Sequence, residues 1–239
     1  MRRLCLLLVF VLPFAQPPLA SAAEEEVGTI AVFPLDRPVT EAPTGEDILL
    51  GSVGSETFHD LVTRMKKAAK DDQVKAVVLL PGAATLGYAQ IEEMRGVIAG
   101  IRKAGKKVHV HADSMMMRDY VLASAADSIS VVPEGILVVY GIRGEAPYVR
   151  GLLDMIGVTP DFMTCGDYKS AAEMFMRSGP SKQAEEMDNW LLDSLFDTIL
   201  QQIAEGRGVA PEKARAWVDA GLYTAARAKE AGIIDAVQF

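Results

Sequence analysis

Val74-Lys75-Ala76-Val77-Val78-Leu79-Leu80 is a nearly unbroken apolar, β-rich run. It closes at Pro81-Gly82, a turn dipeptide. Such a run predicts a strand buried on both faces, the condition of a parallel sheet covered by helices. On its N-terminal side, Phe58, Leu61, Val62, Met65, Ala68 and Ala69 recur at helical spacing before Asp71-Asp72, with Ser55 as the expected cap. On its C-terminal side, Gln90–Lys103 has the pattern of an amphipathic helix, Gly105 ends it, and Lys107–Ala112 reads as the next strand. Strand, helix and strand alternate, so the chain predicts a parallel α/β core.

The alternation extends both ways. Val27–Leu35 reads as a first strand, and Asp36–Gly54, rich in Pro and Gly, as a loop. Downstream, Asp119–Ala126 predicts a short helix, and Ser128–Val132 and Ile136–Ile142 predict strands around Pro133-Glu134-Gly135. Tyr148–Ile156 reads as a helix and Thr159–Thr164 as a strand. The remainder is helical. Met187, Trp190, Leu191, Leu195, Ile199 and Ile203 form a stripe on one long helix, expected to meet the core or another subunit. Gly206 and Gly208 end that helix, and Pro211–Ala220 and Ala225–Ala231 follow as helices. No linker or strong internal repeat interrupts the pattern, so residues 23–239 are expected to form a single domain.

Composition narrows the class. The chain has 239 residues, half of them hydrophobic, and a formal charge of −8. That describes a folded chain and argues against a nucleic-acid binder, which needs a basic face. Residues 1–22 have the layout of a secretory signal: Arg2-Arg3, the apolar Leu4–Phe14 broken by Pro13, and the small-residue site Ala20-Ser21-Ala22. Losing them removes two arginines and no acid, taking the charge from −8 to −10. The expectation is export to the periplasm or cell envelope, with membrane anchoring if the signal stays in place. Cys5 would leave with the signal, so Cys165 would have no internal disulfide partner. It is expected to be a small buried hydrophobe at a strand end.

Gly166-Asp167-Tyr168-Lys169-Ser170-Ala171-Ala172-Glu173 stands out chemically. Asp167 is a candidate N-cap, which would put Lys169 in the first turn of a helix. The positive end of a helix dipole disfavours an ammonium group, and partial burial acts the same way. A lysine so placed can serve as general base for a serine nucleophile. Taken alone, a lysine is most often a solvated surface residue.

This octapeptide, with Phe175 and Arg177 after it, resembles the segment bearing the catalytic lysine of the signal peptide peptidase A family. These are Ser/Lys-dyad serine peptidases on the Clp-protease/crotonase fold, built from repeated β-β-α units with a helical C-terminal part. Asp119-Tyr120-Val121-Leu122-Ala123-Ser124-Ala125-Ala126-Asp127-Ser128-Ile129 and the closing stretch from Gly221-Leu222-Tyr223-Thr224 to Ile234-Asp235-Ala236 resemble the family as well. The resemblance covers roughly Val74–Val237 and assigns Lys169 the role of general base.

The departures are specific. Where the family carries its nucleophile in Ala-Ser-Gly-Gly-Tyr, this chain has Met117-Arg118-Asp119-Tyr120, so Met117 stands in the serine's place and cannot attack a carbonyl. The upstream Gly-Gly of the oxyanion hole is Gly82-Ala83, and the later Gly-Ser-Ile-Gly is Val138-Val139-Tyr140-Gly141. Gly82 and Gly141 are what is kept. In tandem members the N-terminal half supplies the lysine and the C-terminal half the serine. This chain resembles the N-terminal half, also in its length from Asp113 to Ser124.

The resemblance therefore implies the lysine-supplying half of a composite peptidase, hydrolysing cleaved signal peptides or membrane-associated peptides. Its partners would be a peptide substrate and a serine-bearing second half or partner chain, in a homo- or hetero-oligomer near the membrane. The alternative is a non-catalytic pseudopeptidase that binds peptides or scaffolds an oligomer. Ser114 is the weak alternative nucleophile, read first as a loop or cap serine, and Ser170 is a hydroxyl that supports Lys169. A coenzyme A enzyme of the crotonase type is disfavoured by the export signal, and no cofactor is expected. His109, His111 and Asp113 alternate on one strand as three ligands might, with His59 on a separate helix; the reading of polar tips at a groove is preferred, and no metal site is assigned.

Overall fold

The computed structural model describes residues 28–41, 57–82, 84 and 86–239. The signal segment 1–22, Ser55 and most of the loop 36–54 lie outside the described residues. Strand β1 (Thr29–Leu35) leads to helix α1 (Phe58–Lys70), β2 (Val74–Pro81), α2 (Tyr88–Lys103) and β3 (Lys107–Ala112). Then come β4 (Met115–Met116), α3 (Met117–Ala123), β5 (Ser128–Val131), β6 (Ile136–Val138) and α4 (Arg150–Met155). After a 3-10 turn at Ser170–Ala172 the chain runs through α5 (Glu173–Met176), α6 (Lys182–Arg207), α7 (Pro211–Ala220), β7 (Leu222–Thr224), α8 (Ala225–Glu230) and β8 (Ala236–Val237).

Five strands form a parallel sheet in the order β1-β2-β3-β5-β8. A second sheet has the order β4-β6-β7, with β4 parallel and β7 antiparallel to β6. The succession strand, strand, helix thus occurs twice, as β3-β4-α3 and β5-β6-α4. Each time the first strand joins the large sheet and the second the small one. The class is α/β with a parallel sheet, as the alternation predicts. The small sheet is new. Its strand β6 is the first part of the predicted Ile136–Ile142, while β4 and β7, two and three residues long, are too short for period-2 alternation to register.

Helix starts follow local chemistry. At α1 the cap is Thr57: its Oγ1 accepts from the Asp60 N–H at 3.1 Å, and its own N–H donates to Asp60 Oδ2 at 3.3 Å. At α6, Ser181 Oγ accepts from the Ala184 N–H at 3.1 Å, and Gly208 ends the helix in the left-handed region at φ 62°.

One sheet face packs into the core, with Phe33, Leu35, Val77, Leu79, Val108, Val110, Ile129 and Val131 buried and Ala31 and Val237 half-buried at its edges. The other face differs from the expected double burial. Ile30 and Val32 are exposed, and Val78, Leu80, His109 and His111 are half-buried. The helices that touch β2 and β3, α1 and α2, present their apolar stripes to the first face. On the second face His109 Nδ1 lies 2.5 Å from Ser128 Oγ, and His111 Nδ1 lies 2.9 Å from Ser130 Oγ. The two imidazoles are engaged by hydroxyls of the neighbouring strand, and Asp113 is exposed beyond the strand end. Among the described residues no cluster of three metal-ligating side chains occurs.

The closing strand is clamped by charge. Arg207 donates to both oxygens of Asp235, at 2.9 and 2.8 Å, and the Ile129 N–H donates to Asp235 Oδ2 at 2.8 Å. Beside them the buried Tyr120 hydroxyl donates to the Ile233 carbonyl at 3.1 Å. Burial pushes the Asp235 carboxyl up, but the Arg207 and Ile129 hydrogen bonds outweigh it and hold the carboxyl below its usual range. A depressed folded-state pKa adds stability that is present above the unfolded carboxylate pKa and is lost as pH falls through the folded value. Asp235 is partly exposed, which trims the energy. Asp235→Ala is expected to cost about 1–2 kcal/mol near neutral pH. That lowers Tm by roughly 2–8 °C. The gap between the two proteins should close below about pH 4 in thermal melts.

Candidate active site: a groove and a separate lysine

Three positions singled out by sequence come together. Gly82, Met117 and Gly141 line one groove of about 630 Å³. Its walls are mostly apolar, including Leu35, Ile91 and Leu122 from the α/β core and Leu192 and Leu195 from α6.

Met117 reaches the groove because β3 stops at Ala112 and the chain crosses to β4 through Asp113-Ser114. Gly135 makes that crossing possible: a Cβ there would sit 2.2 Å from the Asp113 carbonyl oxygen. Ser114 Oγ accepts from the Ile136 N–H at 3.2 Å, tying the crossing to β6. Ser114 is exposed and does not line the groove. Its position is that of a loop hydroxyl. Met117 then opens α3, and the Met116 N–H donates to Asp119 Oδ2 at 3.0 Å. The Met117 side chain is buried, so this part of the groove is filled by thioether and methylene. Burial pushes the Asp119 carboxyl up, against the Met116 N–H and Arg118, which pull it down.

Gly82 follows β2 directly. A Cβ there would lie 3.1 Å from the Leu35 carbonyl oxygen, so the position is tight, while Ala83, its successor, lies outside the described residues. The Ala84 N–H donates to the same carbonyl at 2.9 Å, stitching this loop to the end of β1. Gly141 sits under Phe196 with room for a methyl group.

Lys169 is elsewhere. It is exposed, does not line the groove, and faces a second cavity of about 430 Å³ with Phe162, Met163 and Cys165. Four local expectations are corrected. Asp167 lies in a turn, not at a cap, and the 3-10 turn begins only at Ser170, so Lys169 is the residue before it and not in a first helical turn. Gly166, at φ 93°, and the Lys169 N–H bond to the Gly166 carbonyl at 3.2 Å close that turn early. Nor does 159–164 form a strand: no described strand lies beside it to satisfy its backbone. Cys165 is therefore exposed and not a buried hydrophobe.

The lysine segment is fastened to α6 at two points. Glu173 accepts from the Ser181 N–H at 2.7 Å and from Ser181 Oγ at 2.6 Å, and Tyr168 donates to Glu186 at 3.3 Å. Phe162 and Phe175 stack with ring centroids 5.5 Å apart. The Val149 N–H also donates to the Met174 carbonyl at 2.7 Å, but much of the arm's apolar surface is exposed. Leu152, Met155, Ile156, Met163, Trp190 and Leu191 are all exposed. The stripe on α6 meets the core only at Ile199 and Ile203.

The profile of peptidase family S49 matches residues 100–239, which hold Met117, Gly141 and Lys169. The chain belongs to peptidase family S49. It is 27% identical over 173 residues to the chloroplastic serine protease SPPA of Arabidopsis thaliana, covering 72% of this chain and 26% of the relative. It is 30% identical over 161 residues to protease 4 of Haemophilus influenzae, covering 64% and 25%. The chain thus spans about a quarter of the length of these relatives. Among solved structures, a mutant of the 1510-N membrane-bound stomatin-specific protease is similar with a TM-score of 0.49 at 13% identity, covering 88% of this chain and 80% of that one. Among the described residues no helix is long and apolar enough to cross a membrane.

Sequence reasoning did not foresee the groove's outer wall. Leu192 lies off the Trp190-Leu191 stripe, and only the docking of α6 against the core brings it there. It also missed Arg118 over the Tyr88 ring, 5.1 Å from its centroid. Arg118 and Tyr88 are far apart in the chain, and no local pattern links them.

Proposed function

We propose that this chain is the lysine-supplying half of a composite Ser/Lys peptidase in the cell envelope, acting on cleaved signal peptides or membrane-associated peptides. The observation that carries the reading is the separation of parts. The groove is lined by the buried Met117, which the resemblance sets at the nucleophile's position, while Lys169 stands exposed on an arm, outside that groove. A base presented outward serves a nucleophile brought by another surface. The bare apolar side chains around it, Met163 and Trp190 among them, suit coverage by a second half or another subunit. In such an assembly Lys169 takes the proton of the partner's serine as it attacks the peptide carbonyl and returns it to the departing amine as the C–N bond breaks; the acyl-enzyme is then hydrolysed by a water that the freed lysine activates.

Membership of a peptidase family and the preserved lysine segment support this reading. The buried Met117 also favours a second one, a pseudopeptidase that binds peptides without cutting them. Complementation with a serine-bearing S49 half separates the two, with a serine-reactive fluorophosphonate as the control on the chain alone. The chain alone should take up no label and cleave no signal-peptide substrate under either reading. Mixed with a serine-bearing S49 half, it should yield turnover under the first reading and none under the second. Turnover by the chain alone that disappears in Ser114→Ala would overturn both.

A further inference from the structure

We propose that the groove beside Met117 holds the carboxyl-terminal end of an apolar peptide, with Arg118 gripping the free carboxylate. The argument starts from charge. The chain is acidic overall, at −8, so an anion approaches it only where a local cation compensates. Arg118 lines the groove and is exposed, and its guanidinium stacks over Tyr88. Among the described residues it makes no salt bridge, and its charge acts only on the adjacent Asp119 carboxyl, which it pulls down. The other charged groups of the groove are engaged: Arg143 pairs with Glu145, and Asp119 accepts from the Met116 N–H. A planar guanidinium held over an aromatic ring presents its free N–H fork to a carboxylate.

The rest of the groove fits the remainder of such a peptide. Its volume of about 630 Å³ and its Leu and Ile walls accommodate a few apolar side chains. Strand β4 borders it and is an outer strand of the small sheet, where an extended peptide can lie alongside. A fatty acid offers the same carboxylate but gains nothing from a strand edge. Where family resemblance puts a serine and paired glycines, Met117, Arg118 and Asp119 turn the groove from cutting to holding. The proposal rests on the reading above only in taking peptide as the ligand class.

The test is fluorescence anisotropy on the purified full chain with a labelled leucine-alanine peptide ending in a free carboxylate. The same peptide as its amide and unlabelled laurate serve as the other arms. The acid should bind at least about tenfold more tightly than the amide, the worth of one charge-assisted hydrogen bond. Arg118→Gln should bring the acid down to the amide's affinity, and Arg118→Lys should keep part of the difference, since lysine supplies charge without the fork. Equal binding of acid and amide by the unmodified chain would overturn the proposal, as would an acid preference that survives in Arg118→Gln. Laurate binding more tightly than the acid peptide would also overturn it and identify a lipid site. None of these readouts involves turnover. An Arg118-dependent acid preference alongside failure to complement any serine-bearing half would leave this site standing while the composite peptidase falls.

Discussion

Lys169→Ala is expected to reduce turnover of the complemented peptidase by about 10²–10⁴-fold, the usual worth of a general base. The complex of this chain with a serine-bearing half is the species to assay. KM should change little, because a base that acts on the serine proton contributes in the transition state and not to ground-state binding. Lys169→Arg should fail to rescue, since a guanidinium does not give up its proton in a protein. Both variants should fold normally. Lys169 is exposed, and the turn before it is set by Gly166 and the Lys169 backbone, not by its side chain. The reason for expecting activity only in the complex is also physical. Covering an ammonium with an apolar surface takes water away from it and favours the neutral amine that a base must be. Among the described residues nothing covers Lys169, which is exposed. Full turnover in the Lys169→Ala complex would remove the lysine from the mechanism.

Gly206→Val is expected to cost about 2–3 kcal/mol, lowering Tm by roughly 4–12 °C. Gly206 lies in α6 where that helix crosses the end of α3. A Cβ there would stand 2.3 Å from the Ser124 carbonyl oxygen and 2.7 Å from its carbon. These are backbone atoms and cannot rotate aside, so the helices must separate. Separation also strains the Arg95 hub, which donates to Ser124 Oγ and the Gln202 carbonyl, each at 2.6 Å, and to the Val121 carbonyl. One guanidinium thus joins α2, α3 and α6, and α6 carries both Leu192 and Leu195 of the groove wall. Binding in the groove should weaken along with stability. Gly100→Ala supplies a control of opposite sign. That glycine lies within α2 with nothing within 4 Å of a built Cβ, so alanine should gain about 0.5–1 kcal/mol. Thermal melts of the two variants check both signs. A Gly206→Val protein as stable as its parent would show that α6 does not pack tightly on α3.

The strands and helices of the core were legible because their signals are local. Lys107–Ala112 and Pro211–Ala220 match their sequence-based bounds. Each has a periodicity that needs no distant partner to be read. The segment 159–164 shows the limit. Its apolar residues suit a strand, but a strand exists only beside another, and no described strand adjoins it. The stripe on α6 shows the same limit in a helix. Its period is correct along its length, yet the core reaches only its C-terminal half.

The site divides along the same line. By itself the sequence determined the side chains available: a lysine in a family-like segment, a methionine at the start of a short helix, and glycines at Gly82 and Gly141. Residue identity fixes which functional groups a side chain carries, while the surroundings set their protonation state. Only the tertiary structure decided which of these groups meet. It joined Gly82, Met117 and Gly141 in one groove, left Lys169 outside it, and set Arg118 at the groove over Tyr88. Those relations depend on the crossing from β3 to β4 and on how α6 docks. Such contacts join residues distant in the chain, so periodicity and spacing carry no record of them.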